Sequence, residues 1–217
     1  MSENYNIKLI NKRIFSMILP VAFEGVLQMS AGLVMMGFIG RIDVIAVSAL
    51  GISQRITQMV WAFFKGITTG ASVFVAQYYG AKKQEEMKHV ILQTLISVVL
   101  LIFFIQAVIY FFSSQLLSIF DPSPELLKSA DTYIRTVSFG LPFLAVSLVI
   151  GGVLQGMGNA RTPMIITLIM NIINIFLGYI LIFGNMGFKP MGVKGAAIAT
   201  VLSQICACII GLYVMFH

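Results

Sequence analysis

Six long apolar stretches, separated by short links, organise the chain. They run from about Ile14 to Ile39, Ile45 to Tyr79, Val90 to Phe112, Leu126 to Leu154, Pro163 to Phe183 and Val193 to Phe216. A helix that crosses a bilayer needs about 20 mainly apolar residues, and each stretch reaches that length. None shows the two-residue alternation of a barrel strand. Apart from closed barrels, only helices satisfy their own backbone groups in lipid. The pattern therefore predicts an all-α polytopic membrane protein, a single bundle of six transmembrane helices. The second and fourth stretches exceed the minimum, so they tilt or extend past the bilayer. Residues 1–13 form a polar, basic N-terminal segment ahead of the lobe at 14–217. The 80–89 link is charged throughout most of its length. The link Asp121-Pro122-Ser123-Pro124-Glu125 is a turn in which Ser123 or Asp121 can cap the next helix.

Composition narrows the class further. The chain is 59% hydrophobic and 10% charged, with a mean hydropathy of +0.96, whereas soluble domains carry about 25% charged residues. A soluble globule of this size could not bury so much apolar surface. After six spans little chain is left, so no soluble catalytic domain fits. The net charge of +6 is spread over the links and reads as topology signalling, not as a nucleic-acid footprint. One side carries seven basic residues: Lys8, Lys12, Arg13, Lys82, Lys83, Lys88 and Arg161. The other carries four: Arg41, Lys128, Lys189 and Lys194. The richer side is expected to be cytoplasmic, with both termini there and the protein in the cell membrane. The first apolar run is too long for a signal peptide. Cys206 and Cys208 lie two apart on a helix and diverge, which argues against a disulfide or metal site. With His89 in a link and His217 at the end, there is no buried Ser/His pair, and no paired acids or metal cluster either. An enzyme is not expected.

Charges at membrane depth cost roughly 3 kcal/mol or more each and are candidates for function. Glu24, Arg55 and Lys65 are the three that this reading places far from the links, and Arg55 can snorkel to the surface. Pro20 removes the hydrogen bond to the Ser16 carbonyl and bends the first helix. One turn later Glu24 begins a face shared with Gln28, Ala31 and Met35. Glu24 is the candidate for cation coupling: a carboxylate lining a cavity. The alternative is an ion pair with Lys65 that fixes packing. On the second helix Gln54, Gln58, Trp61, Lys65, Thr68 and Ser72 recur at alternating spacings of four and three, one helical face. Such a face lines a watery cavity, where Trp61 can stack on a flat cation, or it meets another helix, which suits Thr68 and Ser72 better. Gly66 and Gly70 form a close-packing motif. Asn171, Asn174 and Gly178 share a face of the fifth span. Buried amides there bond across helices or coordinate something.

Four motifs then fall in a familiar order. Leu19-Pro20 with Gly37-Phe38-Ile39-Gly40-Arg41 resembles the start of the multidrug and toxic compound extrusion (MATE) transporters. The run Gly70 to Ala81 (GASVFVAQYYGA) is similar to that family's second-helix ending, and Gly152 to Met164 (GVLQGMGNARTPM) to its fourth-to-fifth loop. Gly192 to Thr200 (GVKGAAIAT) is similar to its sixth-helix opening. Gly80-Ala81 and the Gly156/Gly158 pair suit close approach and turning, and Pro163 suits a first helical turn.

The resemblance implies a polyspecific antiporter that exports small cationic organic compounds in exchange for H+ or Na+, without any other cofactor. It also implies twelve helices in two six-helix lobes. This chain resembles the N-terminal lobe, so a second lobe is expected, from the same chain or another subunit. Two departures stand out. Aspartates that many family members carry in the first and fifth helices align with Met35 and Gly178, while Asn174 aligns with a retained asparagine. Glu24 lies about 16 Å along the helix from Met35, too far to replace the missing acid locally. Two other functions stay open: an orphan or truncated lobe without transport activity, and a lipid-linked glycan flippase lobe. The flippase would favour several basic residues facing the cavity.

Overall fold

The computed structural model describes the backbone of residues 2–216 and the side chains of residues 14–216. The side chains of Lys8, Lys12 and Arg13, like His217, lie outside the described residues. Among those described there are seven helices and no strand: α1 (Ser2–Gly40), α2 (Val44–Gly80), α3 (Gln84–Ser118), α4 (Pro124–Ser138), α5 (Leu141–Gly156), α6 (Arg161–Phe183) and α7 (Gly192–Phe216). Five are individually long and apolar enough to cross a membrane, and α4 with α5, bent by 52° where they meet, are long and apolar enough only when taken together. The chain is a multi-pass membrane protein, one bundle of α-helices.

The fourth apolar stretch is thus not one tilted helix. Pro142 has no N–H for the Ser138 carbonyl, and its ring crowds that oxygen, so the ladder stops and α5 starts anew at Leu141. Gln204 of α7 packs into the space left by the missing side chain of Gly140 at the bend. Ser123 takes the N-cap position of α4 but makes no side-chain cap bond there. Helix α2, by contrast, is capped by Asp43, whose side chain accepts from the Ile45 amide at 3.1 Å.

Helix α4 is amphipathic, and this corrects the inventory of deep charges. Ala130, Tyr133, Ile134 and Val137 are buried on one face. Asp131 and Arg135, on another, were passed over because they lie inside an apolar run. Arg135 Nε donates to Asp131 Oδ2 at 2.8 Å and to Ser113 Oγ at 2.9 Å. Ser113 and Ser114 both donate to Asp131 Oδ1, and the guanidinium sits 5.6 Å from the centre of the Tyr110 ring. The serines follow a break in α3 at Phe112 (φ −109°, ψ 17°). The network therefore ties the bent end of α3 to α4, and each charge has its partner within the bundle.

Two apolar cores carry the packing. One gathers Phe64, Val98, Ile102, Ile109, Ile134 and Val149 between α2, α3, α4 and α5. The other gathers Met35, Ile39, Leu50, Tyr133, Ile182 and Ala196 between α1, α2, α4, α6 and α7. Small residues set the closest approaches, because lipid-embedded helices gain contact only by bringing backbones together. A Cβ at Gly156 would lie 2.6 Å from the Ser72 carbonyl oxygen, and one at Gly195 would lie 2.6 Å from that of Leu181. Thr68 and Ser72 therefore face α5, since Gly152 also abuts Thr68. The Gly66/Gly70 motif is not used this way: nothing lies within 4 Å of a Cβ at either position. Nor does a glycine turn the chain after α2. Gly80 ends the helix, and the positive φ falls on Lys82 (φ 57°).

Candidate functional site

Helices α1, α2, α5, α6 and α7 enclose a small cavity. Glu24 and Gln28 reach it from α1, Trp61 and Lys65 from α2, Ser147 from α5 and Thr167 from α6. The rest of the wall is apolar, from Leu144, Leu148, Ile150, Pro163, Ile166 and Met170. Helical periodicity explains the first four: Glu24 and Gln28 are one turn apart, as are Trp61 and Lys65, so each pair projects from one face. Pro163 sits in the first turn of α6, where its missing N–H costs nothing, and its ring becomes part of the wall.

Glu24 is held from a third helix. Gln155 Nε2 of α5 donates to Glu24 Oε2 at 3.0 Å. Lys65 shares the cavity and acts on Glu24 electrostatically. Yet the ion pairs within 4.0 Å among the described residues are Lys83–Glu86, Lys88–Glu85 and Arg135–Asp131. Glu24 and Lys65 thus face one cavity without closing onto each other. The volume, ≈ 50 Å³, admits a few waters at about 10–15 Å³ each. That is room for an ion and its remaining water ligands, not for a drug-sized molecule, which needs about 300 Å³ or more.

The remaining polar candidates sit elsewhere. Gln54 lies beside Gly32 of α1, its amide 3.9 Å from where a Cβ would stand, and Gln58 and Arg55 are exposed and outside the cavity lining. Of the basic residues, Lys65 lines this cavity and Arg55 does not. Asn171 is buried and donates to the Leu27 carbonyl of α1 at 2.6 Å. Asn174 Nδ2 donates to Thr200 Oγ1 at 3.3 Å and to Ser203 Oγ at 3.2 Å on α7. Tyr133 also hydrogen-bonds Thr200, which brings α4 into the same network. Both amides are satisfied by bonds between helices. The two positions aligned with family aspartates meet each other: a Cβ on Gly178 would stand 2.6 Å from Met35 Sδ. An apolar thioether seated on a glycine occupies the place where the resemblance implied acids.

Gln155 was missed as a site residue. It lies inside the GVLQGMGNARTPM run, which reads as structural, and its only signal was an amide within an otherwise apolar helix. Ser147 carried no signal, since isolated serines are common in membrane helices.

Comparisons with known proteins bear on this arrangement. The MatE family matches residues 20–180. A probable multidrug resistance protein NorM of Thermotoga maritima is 35% identical over 208 residues, covering 95% of this chain and 45% of that protein. The probable multidrug resistance protein YoeA of Bacillus subtilis is 30% identical, covering 87% of this chain and 41% of its own length. A crystal structure of a MATE transporter in the bent conformation superposes with a TM-score of 0.88 at 24% identity, covering 95% of this chain and 45% of that one. At that identity the superposition shows the fold, and it shows the same bundle as half of a larger one. The chain spans about half the length of the curated relatives it matches. With the family match running across most of the described helices, and a relative above 30% identity along nearly all of the chain, this polypeptide belongs to the MATE family of membrane transporters.

Proposed function

We propose that this chain is one lobe, the N-terminal one, of a secondary-active antiporter that exports small organic cations in exchange for H+ or Na+. The second lobe comes from the same polypeptide or from another subunit. The observation that carries the reading is the cavity in which Glu24, bonded by Gln155, faces Lys65 without an ion pair. A carboxylate so placed can take up a proton or a small cation and release it when the helices move. The coupling ion is therefore assigned to the interior of the lobe. The bulky substrate is assigned outside the lobe, between the two halves, because the cavity is too small for it. Gln28, Trp61 and Lys65 line the ion site. Gln54, Gln58, Asn171 and Asn174 act on helix packing or on surfaces toward the second lobe.

The experiment is export in proteoliposomes holding the complete two-lobe assembly, with an imposed proton or sodium gradient. Accumulation of an organic cation such as ethidium is expected with one of the two gradients and not without them. Equal movement with no gradient, or none with either, would sink the antiport reading.

We also infer that residues 1–13 and the links carrying Lys83 and Asn159 are cytoplasmic, from the excess of Lys and Arg on that side. In a background with Cys206 and Cys208 replaced by serine, a cysteine introduced at Ser123 or Lys189 is expected to react with a membrane-impermeant maleimide added outside. One at Lys83 or Asn159 is expected to stay unreacted. Labelling at Lys83 from outside would reverse the orientation.

A further inference from the structure

The cavity that holds Glu24 also holds a cation of its own. Its walls come from helices of this lobe, and Glu24 and Lys65 are the charged residues among its lining. The two act on each other through space. Helices α5 and α6 bring no charged residue to the lining, and α7 brings the Cys208 thiol up beside Ser147.

Without Lys65 the lining would suit a metal ion. A hard cation is held by about six oxygens, from carboxylates, amide carbonyls and water. Glu24, Gln28, Ser147 and Thr167 bring carboxylate, amide and hydroxyl oxygens to one space, and a volume of ≈ 50 Å³ leaves room for water to complete the shell. Lys65 spoils this in two ways. Its ammonium is a compact point charge with N–H donors and no lone pair, so it ligates nothing and competes for the same oxygens. It is also tethered, which keeps its local concentration high whatever the solution holds. Sodium would have to sit beside a like charge in a space a few waters wide, where repulsion is poorly screened. A proton needs neither a shell nor a volume. Bound to a carboxylate oxygen, it takes one charge away from the Glu24–Lys65 pair, whereas sodium adds a third. Charges in a poorly hydrated site are costly, so the state with fewer of them is favoured.

We propose that Lys65 sets the ion selectivity of this site: as a resident cation it keeps Na+ out and leaves H+ as the ion that Glu24 exchanges. This role for Lys65 rests on the reading of Glu24 as the coupling group and goes beyond it, because a carboxylate with the same neighbours and no lysine would serve either ion.

The test uses the complete two-lobe assembly with Trp61 as its one tryptophan. Trp61 is the single tryptophan of this chain and lines the cavity, so its emission reports what the cavity holds. Sodium chloride replaces potassium chloride at constant ionic strength, and pH is titrated separately. The parent is expected to respond to pH and not to Na+, and Glu24→Gln to abolish the pH response. Lys65→Met, which removes the charge and adds no ligand, is expected to bind Na+ at least about tenfold more tightly than the parent, because a like charge has left the cavity. Adding Glu24→Gln is expected to cancel that gain. Lys65→Arg keeps a charge there and is expected to stay indifferent to Na+. Lys65→Gln stands in for Lys65→Met if the latter does not accumulate, and the same gain in Na+ binding is expected of it. A Na+ response of the parent that Glu24→Gln removes would overturn the selectivity and leave Glu24 as the coupling group. A folded Lys65→Met or Lys65→Gln that is blind to Na+ would overturn it as well. A pH response unchanged by Glu24→Gln would instead sink the coupling role of Glu24, and the role of Lys65 with it.

Discussion

In the assembled transporter, Glu24→Gln is expected to lower cation export per folded molecule by at least about tenfold, the equivalent of 1.4 kcal/mol, and to flatten its dependence on pH. Glutamine keeps the size of the side chain and can still accept from Gln155 Nε2. It cannot hold a negative charge or an exchangeable proton. Glu24 is the one acidic residue lining the cavity, so no neighbour there can take over. The competing role, balancing Lys65, makes a different forecast. If the carboxylate serves mainly to neutralise that ammonium, Glu24→Gln strands a charge in a poorly hydrated site. Breaking one partner of a buried pair is strongly destabilising, so the amount of folded protein falls instead. Adding Lys65→Met would then restore abundance. Transport per folded protein, measured between about pH 6 and 8, where such a coupling group must titrate to be useful, separates these outcomes. Normal abundance with an unchanged pH profile would exclude both roles and move coupling to the second lobe.

Gly156→Ala and Gly195→Ala are each expected to destabilise the lobe by about 1–3 kcal/mol, the range for overfilling a packed interior. Both glycines abut backbone, which cannot swing aside. The new methyl at 156 would lie 2.6 Å from the Ser72 carbonyl oxygen, and at 195 it would lie 2.6 Å from the Leu181 oxygen and 2.7 Å from its carbon. Helix pairs α2/α5 and α6/α7 would have to part. Gly66→Ala makes the contrast, because it meets no atom within 4 Å. There the alanine has only the helix-propensity gain of up to about 1 kcal/mol. Thermal unfolding of the purified chain in detergent, followed by Trp61 fluorescence, measures all three. A Gly66→Ala variant as unstable as Gly156→Ala would show that the contacts between these helices are wrongly placed.

The contrast also shows why a motif alone was a poor guide. Gly66-x-x-x-Gly70 looks like a packing surface because small residues recur one turn apart. Gly152-x-x-x-Gly156 has the same form, and it is the one pressed against α2. Spacing places two residues on one face of a helix. It does not say which way that face turns.

The spans were legible because hydropathy is a local property summed over about 20 residues. Five of the six apolar stretches became single helices and the fourth became two, with outer ends within a few residues, apart from α1 and α3, which extend further. Shared faces were legible too: Glu24 with Gln28, and Trp61 with Lys65, line one cavity as helical periodicity requires. The family resemblance rested on residues at turns and close contacts, where local sequence matters most. What the sequence left undecided was every pairing between distant positions. Glu24 bonds Gln155, which lies 131 residues away, Asn171 bonds the Leu27 carbonyl, and Met35 fills the space over Gly178. Asp131 and Arg135 were hidden by averaging, since a polar face of α4 disappears inside a window that is apolar overall. The bend at Gly140 decided that this face belongs to a separate helix tied to the end of α3. Hydrophobic patterning determines that a segment is buried in lipid and which of its residues project together. Helix order, rotation and the close approach of small residues determine which polar groups meet, and those are set only when the whole bundle packs.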